Sequence, residues 1–406
     1  MDDIRILDPA DIGTLIAHLR ERGYRVVGPT RRGDAIVTGE IRSVLDLPHG
    51  IGDTQVPASY RLTERKDDAL FGFAAPAQST KPVFFPANEV VWRGRRDHEQ
   101  GGHFTVERDT PDASPVALLG VRSCDLRAVQ IHDHVLSGRR YKDAHYTARR
   151  DGTLVIAVAC GEPADTCFCA SMGTGPRPAA TNNETGEPAY DLLLTEVVNA
   201  EVLNTEVMNT ESPDEASHHF VVEIGTDAGR EIVDAIEAKA GTGRDQARAV
   251  EITDAAAARQ TRHIDRKSVH DVLRVSAESP RWEDVANRCL ACTNCTMVCP
   301  TCFCTTVSDA SDLTGEKAER HRVWDSCFSA EFSYVHGGPT RESTKARYRQ
   351  WITHKLSSWE DQFGMLGCVG CGRCITWCPA GIDITEEAAA LGRMSGLGST
   401  TSAATT

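Results

Sequence analysis

The 406-residue chain is long enough for two domains of ordinary size, and its 40% hydrophobic residues are typical of globular proteins. A formal net charge of −14 at pH 7 disfavours nucleic acid and anionic membrane surfaces as partners. The first residues are acidic where an export signal needs a basic region, and no apolar run reaches the roughly 18 residues of a membrane span. The sequence therefore predicts a cytosolic protein whose partners are small molecules or other proteins.

The N-terminal part of the chain predicts an α/β domain with a mixed sheet. Asp8-Pro9 followed by apolar residues at helical spacing predicts a helix that ends at Gly23. Short apolar and β-branched runs, separated by Gly, Pro and charged residues, predict strands at 24–29, 34–39, 82–86 and 89–92.

Two almost wholly apolar runs, 116–121 and 153–159, are typical of buried central strands, and 125–137 between them has helical periodicity. This order predicts a strand, helix, strand unit. Cys124 and Cys160 follow the two strands. If the strands are parallel, both thiols lie at the carboxyl edge of the sheet, where open α/β sheets usually bind ligands.

The rest of the chain predicts surface segments and a second domain. An imperfect Asn-Thr-Glu-Val repeat at 195–212 predicts a surface insertion, and 226–241 predicts a capped amphipathic helix. The predicted limits are 1–245 for the α/β domain, 246–284 for a connection, 285–392 for an α-helical ferredoxin-like domain and 393–406 for a disordered tail.

Fifteen cysteines in a reducing compartment indicate metal binding, and an odd number cannot pair fully in disulfides. Two C-x2-C-x2-C-x3-C-P runs match ferredoxins that hold two [4Fe–4S] clusters, in which the fourth cysteine of each run ligates the other cluster. Structural zinc is the alternative, although its ligands usually come as two separated pairs. The predicted ligands are Cys289, Cys292, Cys295 and Cys378, called site 1, and Cys368, Cys371, Cys374 and Cys299, called site 2.

A long link joins Cys299 to Cys368, and much of it predicts helix. In this respect the region resembles the α-helical ferredoxin domains of succinate dehydrogenase and heterodisulfide reductase subunits. Residues 340–355 carry five Lys or Arg against one Glu. That patch suits a solvated helix face as well as it suits screening of anionic clusters or docking of a partner.

A further set of four cysteines, called site 3, falls in the first domain: Cys124, Cys160, Cys167 and Cys169. It would hold a third [4Fe–4S] cluster; the alternatives are a zinc site or buried thiols without a metal. Cys302, Cys304 and Cys327 are expected to pack near the clusters. With His321, His336 or an external ligand they would also be enough to cap another site.

Some motifs of redox enzymes are missing from the sequence. No G-x-G-x-x-G leads from a predicted strand into a helix, which places a flavin or nicotinamide site on another chain. The paired C-x-x-C motifs of a nickel–iron centre are also missing. If hydrogen is the substrate, another subunit therefore reacts with it.

Six strings of the sequence are specific enough to indicate a family. They include GVRSCDLRAV, DTCFCASMGTGP and GCVGCGRCITWCPAGIDI, and they lie at 60–71, 120–129, 165–176, 289–304, 323–328 and 367–384. Through them the chain resembles the β subunit of cytosolic sulfhydrogenase-type, NAD(P)-linked [NiFe] hydrogenases and the related A subunit of anaerobic sulfite reductase.

The resemblance implies an electron-carrying subunit and not the catalytic chain. Its implied partners are a nickel–iron large subunit, a small subunit and a flavoprotein that binds FAD and NAD(P)H. Two alternatives stay open: electron delivery to a sirohaem subunit of sulfite reductase, and direct reduction of sulfur or polysulfide at site 3.

Overall fold

The computed structural model describes residues 4–97, 102–198 and 218–397. Within these ranges the strands are β1 Ile4–Leu7, β2 Arg25–Arg32, β3 Ala35–Glu40, β4 Ile51–Val56, β5 Ser59–Glu64, β6 Asn88–Asp97, β7 His103–Arg108, β8 Val116–Arg122, β9 Thr153–Val158, β10 Leu192–Val197, β11 His219–Ile224, β12 Lys239–Ala240, β13 Thr305–Ser311, β14 Lys317–Trp324, β15 Tyr334–Val335 and β16 Gly338–Pro339.

The α-helices of the described residues are α1 Pro9–Glu21, α2 Lys81–Phe84, α3 Ser123–His132, α4 Ala144–Asp151, α5 Cys169–Met172, α6 Asp227–Ala235, α7 Gly243–Ala258, α8 Val269–Val275, α9 Arg281–Ala286, α10 Asn294–Met297, α11 Thr344–Thr353, α12 Trp359–Phe363, α13 Arg373–Thr376 and α14 Ile384–Ser395. Two π-helical turns, Asp133–Ser137 and His354–Ser358, continue α3 and α11. None of the described helices is long and apolar enough to cross a membrane.

The large sheet has the strand order β12-β1-β11-β10-β9-β8-β2-β3. Its central strands β2, β8, β9 and β10 are parallel neighbours, and the outer strands pair antiparallel. This confirms the predicted mixed α/β architecture, including the parallel strand, helix, strand unit of β8, α3 and β9. The carboxyl ends of β8 and β9 therefore meet at one edge of the sheet.

Alternating side chains of the central strands fill two separate cores, as expected for a sheet covered on both faces. Leu154 and Ile156 of β9 pack on one face with the apolar side of α1. Val155 and Ala157 pack on the other face with α3. Helix α1 begins as predicted after Asp8, whose backbone N–H donates to the Asp11 side chain at 2.8 Å.

A β-bulge in β8 lies shortly before Cys124 of site 3. The pairing with β9 shifts register around Gly120, which has a φ of +83°. Beyond the bulge, the buried Arg122 donates to the carbonyl oxygens of Phe71 and Phe73 at 2.6 and 2.7 Å. Cys124 follows at the start of α3, and so its position is fixed by a rigid strand end.

The strand predicted at 82–86 is wrong, because residues 81–84 form the short helix α2. Pro82 lies in its first turn, where a missing N–H costs nothing because the first N–H groups of a helix have no intrahelical partner. The apolar run is nevertheless buried, with Phe84 and Phe85 in the core against α3.

The link between the two cysteine runs is only partly helical. Strands β13 and β14 form an antiparallel hairpin, and β14 also pairs with β6 of the N-terminal part in the sheet β13-β14-β6-β7. Helix occupies only the later part of the link, in α11, its π-turn and α12. The two parts of the chain thus share a sheet, and the predicted domain limits stay a prediction.

Three further segments complete the comparison with the sequence. The predicted insertion starts too early, because β10 includes 195–197, and 199–212 lie outside the described residues. Helix α6 covers the first part of the helix predicted at 226–241. The predicted connection, 246–284, begins within α7, and α7 packs against β1, β10 and β11 of the large sheet. Of the predicted tail, 393–395 belong to α14 and 398–406 lie outside the described residues.

Candidate iron–sulfur centres

The loops of the two cysteine runs have the same backbone course. Ala291 and Thr293 have φ values of +50° and +68°, and the corresponding Gly370 and Gly372 have +65° and +74°. A short helix, α10 or α13, begins directly after each loop. Non-glycine residues rarely adopt positive φ, and so the strain at Ala291 and Thr293 indicates a loop constrained by its function.

Backbone amides of these loops point at cysteine sulfurs. The backbone N–H of Ala291 donates to Cys289 Sγ at 3.4 Å. In the same way Gly370 donates to Cys368 Sγ at 3.5 Å, and Ile382 donates to Cys378 Sγ at 3.4 Å. N–H donation to cluster-ligating sulfur is one of the means by which proteins set the potential of iron–sulfur clusters. The loops therefore have the backbone chemistry that such ligands need.

The thiols of site 1 lie together although Cys378 belongs to the second run. Burial, and then the neighbouring thiols Cys289, Cys378 and Cys292, raise the pKa of Cys295 well above its usual range. The four line one pocket, whose walls include the side chains of Tyr348 and Trp351. Cys292 is exposed, and so this site is open to the surface.

The thiols of site 2 are brought together in the same crosswise way. Burial raises the pKa of Cys374 well above its usual range, and the nearby thiols of Cys368, Cys371 and Cys299 raise it further. Cys299 and Cys371 are buried, and so site 2 is more enclosed than site 1. The structure thus brings together the predicted members of each set, and their ligand role stays a prediction.

A buried lysine contacts site 2. Lys355 Nζ donates to Cys299 Sγ at 3.2 Å, to Thr301 Oγ1 and the Gly367 carbonyl at 3.1 Å, and to Cys302 Sγ at 3.5 Å. Burial opposes the charged ammonium, but the neighbouring sulfurs of Cys299 and Cys302 hold the pKa of Lys355 well above its usual range. The Cys302 thiol in turn donates to Cys299, and with Lys355 it holds the pKa of Cys299 well below its usual range.

The thiols of site 3 lie around the carboxyl edge of β8 and β9. Burial and then the thiols of Cys169 and Cys160 raise the pKa of Cys167 well above its usual range. Cys124 lies beside Cys169 and Cys371, which places it between site 3 and site 2. The predicted convergence of the two strand ends on this edge is therefore present in the structure.

Sites 2 and 3 are joined by direct backbone packing. Phe168 N–H donates to the Gly370 carbonyl at 2.9 Å, and Cys167 Sγ lies 3.9 Å from the Cys371 carbonyl oxygen. The tetrapeptide Thr-Cys-Phe-Cys occurs both at 166–169 and at 301–304. Both copies pack against the loop of the second run, through these contacts and through the 2.7 Å bond from the Thr301 hydroxyl to the Gly367 carbonyl.

Close backbone approach requires glycine at Gly372. A Cβ added there would lie 2.4 Å from the Thr166 carbonyl oxygen. We expect Gly372→Ala to destabilise the protein by more than about 2 kcal/mol, because positive φ and a backbone clash add together. Gly364→Ala is the matched control, since Gly364 has nearly the same φ of +73° and open space around it. Equal shifts in the chemical unfolding midpoint of the two variants would contradict this packing.

Of the three remaining cysteines, Cys302 and Cys304 lie near Lys355 at site 2, and Cys327 neighbours both Cys304 and Cys295 of site 1. Cys302 contacts Cys299 and Lys355, whereas the Cys327 thiol donates to Cys304. That hydrogen bond and the charge of Lys355 lower the pKa of Cys304 to about 7. His321, which the sequence offered as a possible ligand, instead bonds to Asn88 and Glu319.

Different residues of the basic segment 340–355 agree with different alternatives, a solvated helix face or screening of anionic clusters. Lys345 and Arg349 form ion pairs on the surface with Glu283 and Glu278, as expected for a solvated helix face. Lys355 is buried against site 2, which agrees with charge screening.

Sequence reasoning missed a buried ion pair between the two parts of the chain. Arg373, between Cys371 and Cys374, is fully buried and makes two bonds of 2.6 and 2.8 Å to Asp125. Its Nε donates to the Pro76 carbonyl at 2.7 Å. The available signal was a charged residue directly adjacent to cysteines in both segments.

Unpartnered donors provide a test of whether the residues fit iron–sulfur clusters. Among the described residues, the buried Tyr348 hydroxyl and Trp351 Nε1 have no hydrogen-bond partner in the chain, and both residues line the pocket of site 1. Buried donors are almost always satisfied, and cluster sulfur is an acceptor that would satisfy these two. The donor set of thiols and amides fits the group.

A single metal ion fits less well. In the part of the chain that the structure describes, no three His, Cys, Asp or Glu side chains are arranged to hold one ion. Structural zinc needs four ligands within about 2.0–2.3 Å of one point. The preference for iron–sulfur clusters over zinc rests on the repeated C-x2-C-x2-C-x3-C-P spacing.

Comparison with known families supports an iron–sulfur interpretation of these thiol groups. Residues 288–382 match the 4Fe-4S dicluster domain. Over 366 residues the chain is 29% identical to Sulfhydrogenase 2 subunit beta of Pyrococcus furiosus. The aligned region covers 90% of this chain and 91% of that protein. This similarity confirms the resemblance that the sequence strings predicted.

Proposed function

We propose that the chain is the iron–sulfur electron-transfer subunit of a multi-subunit, NAD(P)-linked [NiFe] hydrogenase. The observation that carries the proposal is the crosswise grouping of thiols, in which Cys378 lies with the first run and Cys299 with the second. Bound [4Fe–4S] clusters would supply one-electron acceptance and donation. The residues of the chain would hold them, exclude water from site 2 and donate hydrogen bonds to their sulfurs.

The contacts between sites support a linear relay in the order site 3, site 2, site 1. Cys371 of site 2 neighbours Cys124 and Cys169 of site 3. On its other side, site 2 meets site 1 where Cys299 and Cys374 influence the pKa of Cys295 and Tyr348 respectively. Site 1 alone has an exposed cysteine, and so a partner would exchange electrons with the chain there.

We propose site 3 as the third [4Fe–4S] site. Replacing Cys167 and Cys169 together by serine should then remove about four of about twelve irons from anaerobically purified protein. Iron and sulfide quantitation with low-temperature EPR measures the loss. The matched control is Cys302→Ser with Cys304→Ser, which changes the second Thr-Cys-Phe-Cys copy and should leave the iron content unchanged. About eight irons in the unaltered protein would contradict a third cluster.

The proposed partners are a nickel–iron large subunit, a small subunit and an FAD- and NAD(P)H-binding flavoprotein. Support comes from the sulfhydrogenase relative, whose name describes it as one subunit of an assembly. The test is anaerobic purification of the tagged chain from its own cells, with mass spectrometry of the bound proteins. Recovery of a nickel–iron subunit agrees with the proposal, and recovery of a sirohaem subunit instead contradicts it.

A further inference from the structure

The surroundings of sites 1 and 2 differ in charge. Lys355 is 4% exposed and lies on the π-helical turn His354–Ser358, an element that is frequent at functional sites. Its ammonium is 3.2 Å from Cys299 Sγ. No ion pair of the described residues includes Lys355, and its hydrogen-bond partners are the sulfurs of Cys299 and Cys302 and the oxygens of Thr301 and Gly367. The sulfur of Cys299 in site 2 is therefore the group that can provide its counter-charge. A buried ammonium without such a counter-charge would be strongly unfavourable.

A second buried lysine reinforces this positive region. Lys81 is 4% exposed, and its Nζ donates to the Cys302 carbonyl at 3.1 Å and lies 3.6 Å from the centre of the Trp324 ring. Burial lowers the pKa of Lys81, and the neighbouring sulfurs of Cys302 and Cys299 oppose this by favouring its charged form. Lys81 therefore acts on site 2 from a greater distance than Lys355.

Site 1 has neutral donors in the walls of its pocket. Tyr348 and Trp351 offer an O–H and an N–H without a partner. A cation, Arg347, also lies near the Cys289 thiol; the residue as a whole is partly exposed, although its Nε is buried. Water screens a partly exposed charge much more than a fully buried one.

We propose that Lys355, reinforced by Lys81, raises the reduction potential of site 2 above that of site 1, so that site 2 is where an electron rests in the relay. The inference rests on the proposed function, because it requires clusters at both sites. Reduction adds negative charge to a cluster, and a buried ammonium in contact with a ligand sulfur stabilises that charge. Lys355 is thus a positioning and tuning residue and does not bind iron itself.

The test is EPR-monitored potentiometry of the purified, cluster-containing protein. The Lys355→Gln variant should reduce the equilibrium constant for reduction of site 2 at least tenfold. This corresponds to a midpoint potential lower by about 59 mV for one electron, with the midpoint of site 1 unchanged. Lys355→Arg, which keeps the charge, should recover most of the loss. Lys81→Gln should shift site 2 in the same direction by less. Tyr348→Phe is the reciprocal control, because Tyr348 neighbours two thiols of site 1 and one of site 2 and should alter site 1 more than site 2.

The outcomes separate this inference from the proposed function. An unchanged site 2 midpoint in Lys355→Gln at full iron content overturns the tuning role and leaves the electron-transfer function intact. If Lys355→Gln loses the irons of site 2, the Lys81→Gln midpoint decides: a lowered value supports the proposal and an unchanged value overturns it. Iron-free unaltered protein would overturn both.

Discussion

Changing Cys378 to alanine is expected to remove about four irons and the EPR signal of site 1, although Cys378 belongs to the second cysteine run. The physical reason is that its thiol lines one pocket with Cys289, Cys292 and Cys295 of the first run. Losing one of four thiolates leaves an iron without its protein ligand. Iron quantitation and low-temperature EPR of the anaerobic protein measure the effect.

The EPR spectra of four cysteine variants test the two ligand sets directly. Cys378→Ala should reproduce the spectrum of Cys292→Ala, and Cys299→Ala should reproduce that of Cys371→Ala. Cys327→Ala, outside the three predicted sites, serves as the control with full iron. Should Cys378→Ala instead match Cys371→Ala, each run would hold its own cluster and the crosswise ligand sets would be wrong.

Replacing Arg373 by methionine is expected to cost about 3–5 kcal/mol of stability, because it leaves Asp125 as an uncompensated buried carboxylate. Both side chains are at least 96% buried, and the two bonds between them are 2.6 and 2.8 Å long. The measurement is the shift of the chemical unfolding midpoint of the anaerobic protein.

Two further variants distinguish a buried pair from a general loss of packing. Adding Asp125→Leu to Arg373→Met should restore at least half of the stability, since an apolar pair of similar volume often replaces a buried ion pair without loss. Arg248→Met, which breaks an exposed pair with Glu251, should change the midpoint little. A double variant as unstable as the single one would show that Arg373 acts through its shape and not through its charge.

The parts of the fold that the sequence predicted well have strong local patterns. The apolar runs of β8 and β9, the capped start of α1 at Asp8 and the repeated cysteine spacing each indicate their structure from a few neighbouring residues. The apolar run at 82–86 has no such period, and its first proline, Pro82, fits a helix start as well as a strand end. Tertiary packing decided in favour of α2.

The missing parts depend on contacts between distant residues. Arg373 and Asp125 are 248 positions apart, and Lys355 reaches Cys299 from 56 positions away. No window of local sequence contains both partners. The hairpin of β13 and β14 was not predicted for a related reason. Both strands are mostly polar, β13 is exposed and β14 only half-buried, and β14 pairs with the distant strand β6.

Because β6 pairs with β14, the sheet that they share forms only after both strands have been synthesised. A ribosome releases β6 long before β14, and Cys299 long before the second cysteine run. If each site takes ligands from both runs, neither can close until the C-terminal third has left the ribosome. Cluster insertion would then be a late step on an almost complete chain, and until then the cysteines of the first run would remain open to oxidation.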